Sequence, residues 1–170
     1  MGRLENLHGA LSLTMADRLR GVGAGQGVSA SEQGALVTLL AEPDRPVAWL
    51  GDVLGLTSSG VTRLVDRLVA RGWVTRSAGS DARQRRLRLT ASGTKQVRAL
   101  NRDRERVLSQ ALAVLSEAER LDLERVLDTL VGSLATEHLP ALQVCRLCDR
   151  GACRSAGESC PLGHTVPGDG

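Results

Sequence analysis

The chain has no phenylalanine, no tyrosine, only two tryptophans, and a single lysine, Lys95, among 22 basic residues. Without aromatics no ligand pocket can be drawn from the sequence, and Trp49 and Trp73 read most simply as core residues. The bias towards arginine is as much the mark of a GC-rich genome as of physics and carries no functional weight. Long apolar runs are also missing: no stretch of 18 such residues exists, and the first twenty residues are broken by Glu5, His8, Asp17 and Arg18. A secretory or membrane-spanning segment is thereby excluded, and the expectation is a cytoplasmic chain with no membrane partner. The patterns of an enzyme are lacking too. There are no paired catalytic carboxylates, no glycine-rich phosphate loop and no Ser/His/Asp arrangement, and His8, His138 and His164 are scattered.

What remains is an ordinary globular composition. Hydrophobic residues make up 42% and charged residues 24% of 170, enough for one compact domain with an appendage. Charge is unevenly placed. Between Thr57 and Arg98 ten basic residues face only Asp66 and Asp81, a local net of +8 in a chain of +3, so the remainder carries −5. A basic block on a mildly acidic body suits a polyanionic partner, because neutralising phosphates releases condensed counterions.

Apolar residues at steps of three and four, Leu4, Leu7, Leu11, Met15 and Leu19, predict a first helix over about 3–20. Glycines crowd residues 21–27, and then Ser29 with Glu32 forms a capping box that opens a second helix reaching about Glu42. Pro43 and Pro46 close that helix and open a short one from Val47 to Leu54, with Gly55 as its cap. Thr57 begins the next helix, whose apolar Val61, Leu64, Val65, Leu68 and Val69 leave Ser58, Ser59, Thr62, Arg63, Asp66 and Arg67 on the other face. Gly72 ends it. Strands at residues 73–76 and 87–89 make a hairpin with an arginine-loaded tip. Thr90 to Gly93 is a turn or cap before a long helix over about 95–115. Ser116 and Glu119 then cap a last helix over 117–138, ahead of Pro140. These two helices expose more apolar surface than so small a core requires.

A helix, a tight turn, a helix with a basic face and a hairpin form a helix-turn-helix with a wing. The predicted fold is therefore mainly α with a small β-hairpin wing, the winged lobe occupying about 29–90. Its use is geometric: the major groove admits an α-helix whose N-terminal side chains reach base edges, while the hairpin touches the flanking backbone or minor groove.

The stretch from Leu56 to Arg76, with Ser80-Asp-Ala-Arg83 and Arg88-Leu-Thr-Ala-Ser-Gly93, resembles the MarR family of multiple-antibiotic-resistance-type repressors. The resemblance covers Leu4 to Leu139 and implies a 1–139 domain. It implies a homodimer in which the first and the last two helices pack together and hold two winged lobes on a pseudo-palindromic operator in double-stranded DNA. Carried over by position, Ser58, Ser59, Thr62 and Arg63 approach base edges, and Arg67 approaches phosphate. Asp81 orders the wing, Arg83 enters the minor groove, and Arg85 and Arg86 meet the DNA backbone. Relatives of this kind are often relieved from DNA by a small-molecule effector, though no pocket for one can be named.

All four cysteines lie outside that resemblance, in residues 140–170, as Cys145-x2-Cys148-x4-Cys153-x6-Cys160. This tail is too poor in apolar residues to form a core of its own, so another agent must order it. In a cytosolic chain metal is the expected agent, with all four cysteines as ligands. Structural zinc comes first, and an iron-sulfur cluster second on the strength of Cys160-Pro161. A metal-free thiol switch or an inert tail is the remaining alternative, and His164 is read as solvated. The sequence thus predicts a DNA-binding repressor responsive to metal, redox state or a small ligand. The competing reading is a metal or iron-sulfur redox protein, or an interaction adaptor, whose basic segment reads no sequence.

Overall fold

The computed structural model describes residues 2–78, 85–153 and 159–166. Among the described residues seven α-helices and a small sheet follow in the order α1 (Arg3–Gly21), α2 (Ala30–Ala41), β1 (Arg45–Pro46), α3 (Val47–Leu54), α4 (Ser58–Ala70), β2 (Val74–Ala78), β3 (Arg85–Leu89), α5 (Ala91–Leu112), α6 (Glu117–Gly132) and α7 (His138–Val144). Among the described residues no helix is long and apolar enough to cross a membrane.

Helix starts lie where side chains can satisfy orphan amides. Both capping boxes form, Ser29 with Glu32 and Ser116 with Glu119. Thr57 accepts from the Gly60 amide at 3.2 Å, and Thr90 from the Gly93 amide at 2.9 Å. Gly55 closes α3 at φ 63°, a left-handed conformation that costs glycine nothing and turns the chain sharply into α4.

The core sits where α2, α3, α4, the sheet and the first half of α5 meet. Leu36, Leu39, Leu50, Leu64, Leu68, Leu87 and Leu100 are its largest fully buried side chains. By contrast α1 and α6 bury no residue, and α5 buries only Gly93, Val97 and Leu100.

Two expectations are corrected. The hairpin has a third strand: the sheet order is β1-β3-β2, with Arg45 opposite Leu87 and Pro46 opposite Arg86. The proline segment does break the helices, with Pro46 capping α3, and it serves in addition as an edge strand, where Pro46 loses no ladder bond. The last long helix stops at Gly132, not near His138. Ser133 turns its hydroxyl back onto the Leu130 carbonyl at 2.7 Å, and a new helix opens at His138. Pro140 lies in the first turn of α7, where its missing amide has no intrahelical partner to lose.

The tail packs on the end of α6 through a small shared apolar cluster. Ala135, Ala141 and Leu162 are buried together, with Val131, Val144, Cys145 and Cys160 against them. His164 is not simply solvated: its ring nitrogens lie 3.2 Å from the Ala135 carbonyl and 3.1 Å from that of Pro161, which fastens the chain end beside α6.

Candidate functional site

Helix α4 is amphipathic in a way that fixes its outward face. Val61, Leu64, Val65 and Leu68 are buried, and at helical spacing this leaves Ser58, Ser59, Thr62, Arg63, Asp66 and Arg67 exposed together. Thr62 returns its hydroxyl to the Ser58 carbonyl at 2.8 Å, so its methyl is the part turned outward. A groove of about 610 Å³ separates this helix from the sheet, with Thr62, Asp66, Arg76 and Arg85 on its walls and Pro46 to Ala48 at its end. Thr62 and Arg85, distant in sequence, therefore face the same space.

Asp81 and Arg83 lie outside the described residues. Arg85 is exposed at the start of β3. Arg86 is half-buried, and its Nη1 donates to the Asp44 carbonyl at 2.8 Å, so part of its donor set secures the sheet. Three further pairings escape a reading by local charge. Arg76 reaches Asp66 at 2.6 Å and ties the wing to α4. Arg88 pairs with Asp44, which holds the turn before β1 in a left-handed conformation at φ 61°. Arg71 donates to the Gly27 carbonyl at 2.7 Å, and its guanidinium stacks 4.8 Å from the Trp73 ring centre.

Arg67 and Arg71 converge on Glu32, a buried carboxylate on α2. Its Oε2 accepts from the Ser29 amide at 2.8 Å and the Ser29 hydroxyl at 2.9 Å. Among the described residues its Oε1 accepts no hydrogen bond and faces the two guanidiniums at 3.6 and 4.0 Å. Burial opposes the charge, but the Ser29 donors with Arg71 and Arg67 outweigh it and hold the carboxyl below the ordinary glutamate range. Glu42 behaves alike: burial opposes its charge, and Arg45 together with Arg150 outweighs it.

Both carboxyls titrate lower in the folded chain than in the unfolded one. Their stabilisation is thus present above the ordinary carboxylate range and lost as pH falls through the folded values. Glu32→Gln keeps the cap but removes the charge, and is expected to cost about 1 kcal/mol at pH 7. The gap between variant and wild type should close as pH falls below about 4.3. Urea unfolding followed by circular dichroism at pH 7 and pH 3.5 measures this, and a gap that persists unchanged at pH 3.5 contradicts it.

The four cysteines form a second locus. All are free thiols, and all line one cavity of about 120 Å³ beneath α7. Among the described residues no group of three or more His, Cys, Asp or Glu side chains is placed to hold a metal ion, so the thiols surround a space and do not close on a point. Cys145 hydrogen-bonds Cys148, which holds the Cys148 thiol down to about 6 against burial, aided by Arg104, Arg150 and Arg146; the same bond pushes the Cys145 thiol up. Among the described residues two side-chain hydrogen bonds dock the segment on the winged lobe. Gln143 donates to the Asp52 carbonyl of α3 at 3.0 Å, and Arg150 Nη1 donates to Glu42 at 2.9 Å. Nothing in the cysteine spacing announced Arg150, whose only sequence mark is its place between Cys148 and Cys153.

Comparison with known proteins places this geometry. A model described as MarR family matches residues 26–84. The transcriptional repressor MprA of Escherichia coli (strain K12) is 30% identical over 112 residues, which are 64% of this chain and 64% of that protein. The chain thus spans slightly under two thirds of the length of the curated relatives it matches. Among solved structures, a MarR family protein from Bacillus stearothermophilus is 30% identical, with a TM-score of 0.67 over 75% of this chain and 89% of that one. The YusO protein from Bacillus subtilis, 21% identical, shares the fold at a TM-score of 0.68 over 76% of this chain and 93% of its own.

Proposed function

The chain belongs to the MarR family, and from that membership we propose that it binds double-stranded DNA as a homodimeric, sequence-specific transcriptional repressor. The observation that carries this reading is the outward face of α4: Ser58, Ser59, Thr62 and Arg63 stand exposed over a buried apolar stripe, next to a groove that Arg85 enters from the wing. A helix so presented can enter a major groove while the wing meets the adjacent backbone. Ser58 and Ser59 offer small polar groups to base edges, Thr62 offers a methyl of the kind that meets the thymine methyl, and Arg63 offers a fork that fits the two acceptors of guanine. Arg67 and Arg86 are partly engaged by the protein itself, and contribute charge to the phosphates more than base reading. Asp81 and Arg83 complete the wing in this reading.

Support for the dimer comes from surface chemistry. Leu4, Leu7 and Leu11 on α1 and Val126, Leu130 and Leu134 on and after α6 are exposed in the single chain, a burden that a second copy relieves. Two lobes related by a two-fold axis then meet two half-sites, which explains why a pseudo-palindrome is the expected operator. The name of the Escherichia coli relative, a transcriptional repressor, supports repression as the mode.

The test is a titration of duplexes from the region upstream of the protein's own gene. Arg63→Ala is expected to cost about 1–3 kcal/mol on the preferred sequence and to narrow its margin over a scrambled one, whereas Arg67→Ala weakens both alike and lowers the salt slope by about one. Binding that is equally weak for wild type and both variants, and indifferent to salt, refutes the proposal.

A further inference from the structure

We propose that Cys145, Cys148, Cys153 and Cys160 ligate a single thiophilic metal centre in the cavity they share, and that Arg150 links this centre to the winged lobe through Glu42. The first half stands on the cysteine segment alone; the second, where it concerns operator affinity, rests on the DNA-binding reading above.

Convergence is the first argument. The thiols come from the end of α7, from the turn after it and from a strand of chain returning past α6, yet all four border one cavity. Two are fixed by packing, since Cys145 and Cys160 rest against the buried Ala135, Ala141 and Leu162. That cluster is small, and beyond it the segment is held by a few polar contacts, those of Gln143, Arg150 and His164. A metal drawing four thiols inward supplies what is lacking, because its binding free energy then becomes folding free energy for the segment. Closing the cavity around an ion is accordingly part of the proposal, and each remaining thiol proton is released to solvent as its sulfur binds.

Charge is the second. Four thiolates around Zn²⁺, or around an oxidised four-iron cluster, leave a net charge of about −2, which must be balanced if the centre is to sit partly buried. Arg150 lines the cavity itself, and Arg104 lines the adjoining cleft that Cys148 and Cys153 also border. Arg150 carries the most specific sign. Its Nη1 is bonded to Glu42, while its Nη2 is buried and has no hydrogen-bond partner among the described residues. A buried guanidinium N–H without an acceptor is costly, and a metal-bound thiolate across the same cavity is an acceptor of the right charge. His138 Nδ1, on the same wall, is likewise buried and unpartnered.

The link outward runs through named contacts. Glu42 accepts from Arg150 at 2.9 Å and from Arg45 at 2.7 Å, and Arg45 belongs to β1, which pairs with the wing strand β3. Loss of the centre removes the acceptor on the Nη2 side of Arg150, and so loosens one of the two partners that hold Glu42 beside the sheet. Occupancy of the cysteine site is thereby felt at the wing.

The experiment uses the full chain purified without oxygen. Metal analysis and a visible spectrum are expected to give one zinc per chain and no colour, or iron with matching sulfide and a broad absorption that bleaches on reduction; either result supports the shared centre and identifies it. Cys148→Ser and Cys153→Ser should each lose the metal. Should those variants fail to fold, cobalt added to the metal-free wild type is expected to give sulfur-to-metal charge transfer and tetrahedral bands, with about one equivalent at saturation. A native protein with four titratable thiols, no bound metal and no such bands overturns the centre, as does metal that survives unchanged in both variants. Arg150→Gln should keep the metal but abolish the change in operator affinity that chelation produces in wild type. A wild type whose affinity ignores chelation overturns the link and leaves the centre standing, whereas a metal-loaded protein that binds no duplex at all counts against the DNA reading alone.

Discussion

Replacing Val126 and Leu130 together by glutamate is expected to convert the protein to a monomer and to reduce its operator affinity on the order of 10³-fold or more, towards non-specific binding. Val126, Leu130 and Leu134 recur at steps of four on one side of α6 and its end, exposed by 54%, 48% and 62% in the single chain. No residue of that helix is buried within its own chain, so the substitutions remove nothing the folded protomer depends on. In a two-fold interface each side chain is counted twice, so the pair removes four buried apolar groups, worth about 6 kcal/mol at the lower end of the burial scale, and adds four charges to desolvate. At 1.4 kcal/mol per tenfold, a nanomolar dimer would be dissociated at micromolar concentration. Sedimentation velocity reads the association state, fluorescence anisotropy the affinity, and circular dichroism should be unchanged. A persistent dimer, or a monomer that binds the operator as tightly as wild type, would show that these faces do not carry the assembly.

The elements most legible in the sequence were those specified by neighbours along the chain. Ser29 with Glu32, Thr57, Gly55 and Ser116 with Glu119 act over three or four residues, and each ends or begins a helix where expected. Strand β1 was not legible. Two residues leave no periodicity, and what makes them a strand is the pairing with Leu87 and Arg86, the Asp44 amide bonded to the Leu87 carbonyl, and the Asp44 carboxylate on Arg88. The early end of α6 escaped for the opposite reason: the apolar pattern ran on through Val131 to Leu134, while the chain leaves the helix after Gly132 and buries Ala135 against Ala141 and Leu162.

Charge tells the same story at the candidate site. A count along residues 57–98 treats every arginine as available. The fold spends Arg76 on Asp66, Arg88 on Asp44, and sets Arg67 and Arg71 beside Glu32, and two of those three carboxylates lie outside the counted block. Arg63 and Arg85, which form no ion pair among the described residues, are exposed on and beside the outward face of α4 and keep their charge to offer there. The position of α4 and its outward face could be read from periodicity, but the division of its arginines between structure and ligand could not, because it depends on Glu32 and Asp44 arriving from elements distant in sequence. The cysteines show the reverse. Their spacing announced a common site, yet only the fold revealed that the site leans on the winged lobe through Gln143 and Arg150.

Gly93→Ala should lower the melting temperature by about 4–8 °C, although alanine is the better helix former by about 1 kcal/mol. The residue lies in the first turn of α5, and a Cβ there would stand 2.0 Å from the Trp73 carbonyl oxygen and 2.9 Å from its carbon. That oxygen belongs to the backbone entering β2 and already accepts the Thr90 amide at 3.0 Å, while the Thr90 hydroxyl donates to the Gly72 carbonyl at 2.7 Å. No side chain can swing aside; helix and strand must separate by more than an ångström. Breaking so tight a junction costs about 3 kcal/mol or more, which outweighs the gain in propensity and leaves a net loss of about 2 kcal/mol. The junction matters beyond stability, since α5 leads from the winged lobe towards the apolar faces proposed to dimerise, and a displaced α5 changes the spacing of two lobes on one operator. Duplex affinity should therefore fall even at temperatures where the variant is fully folded. A variant that melts at or above the wild-type temperature would mean that α5 does not meet Trp73 at this distance.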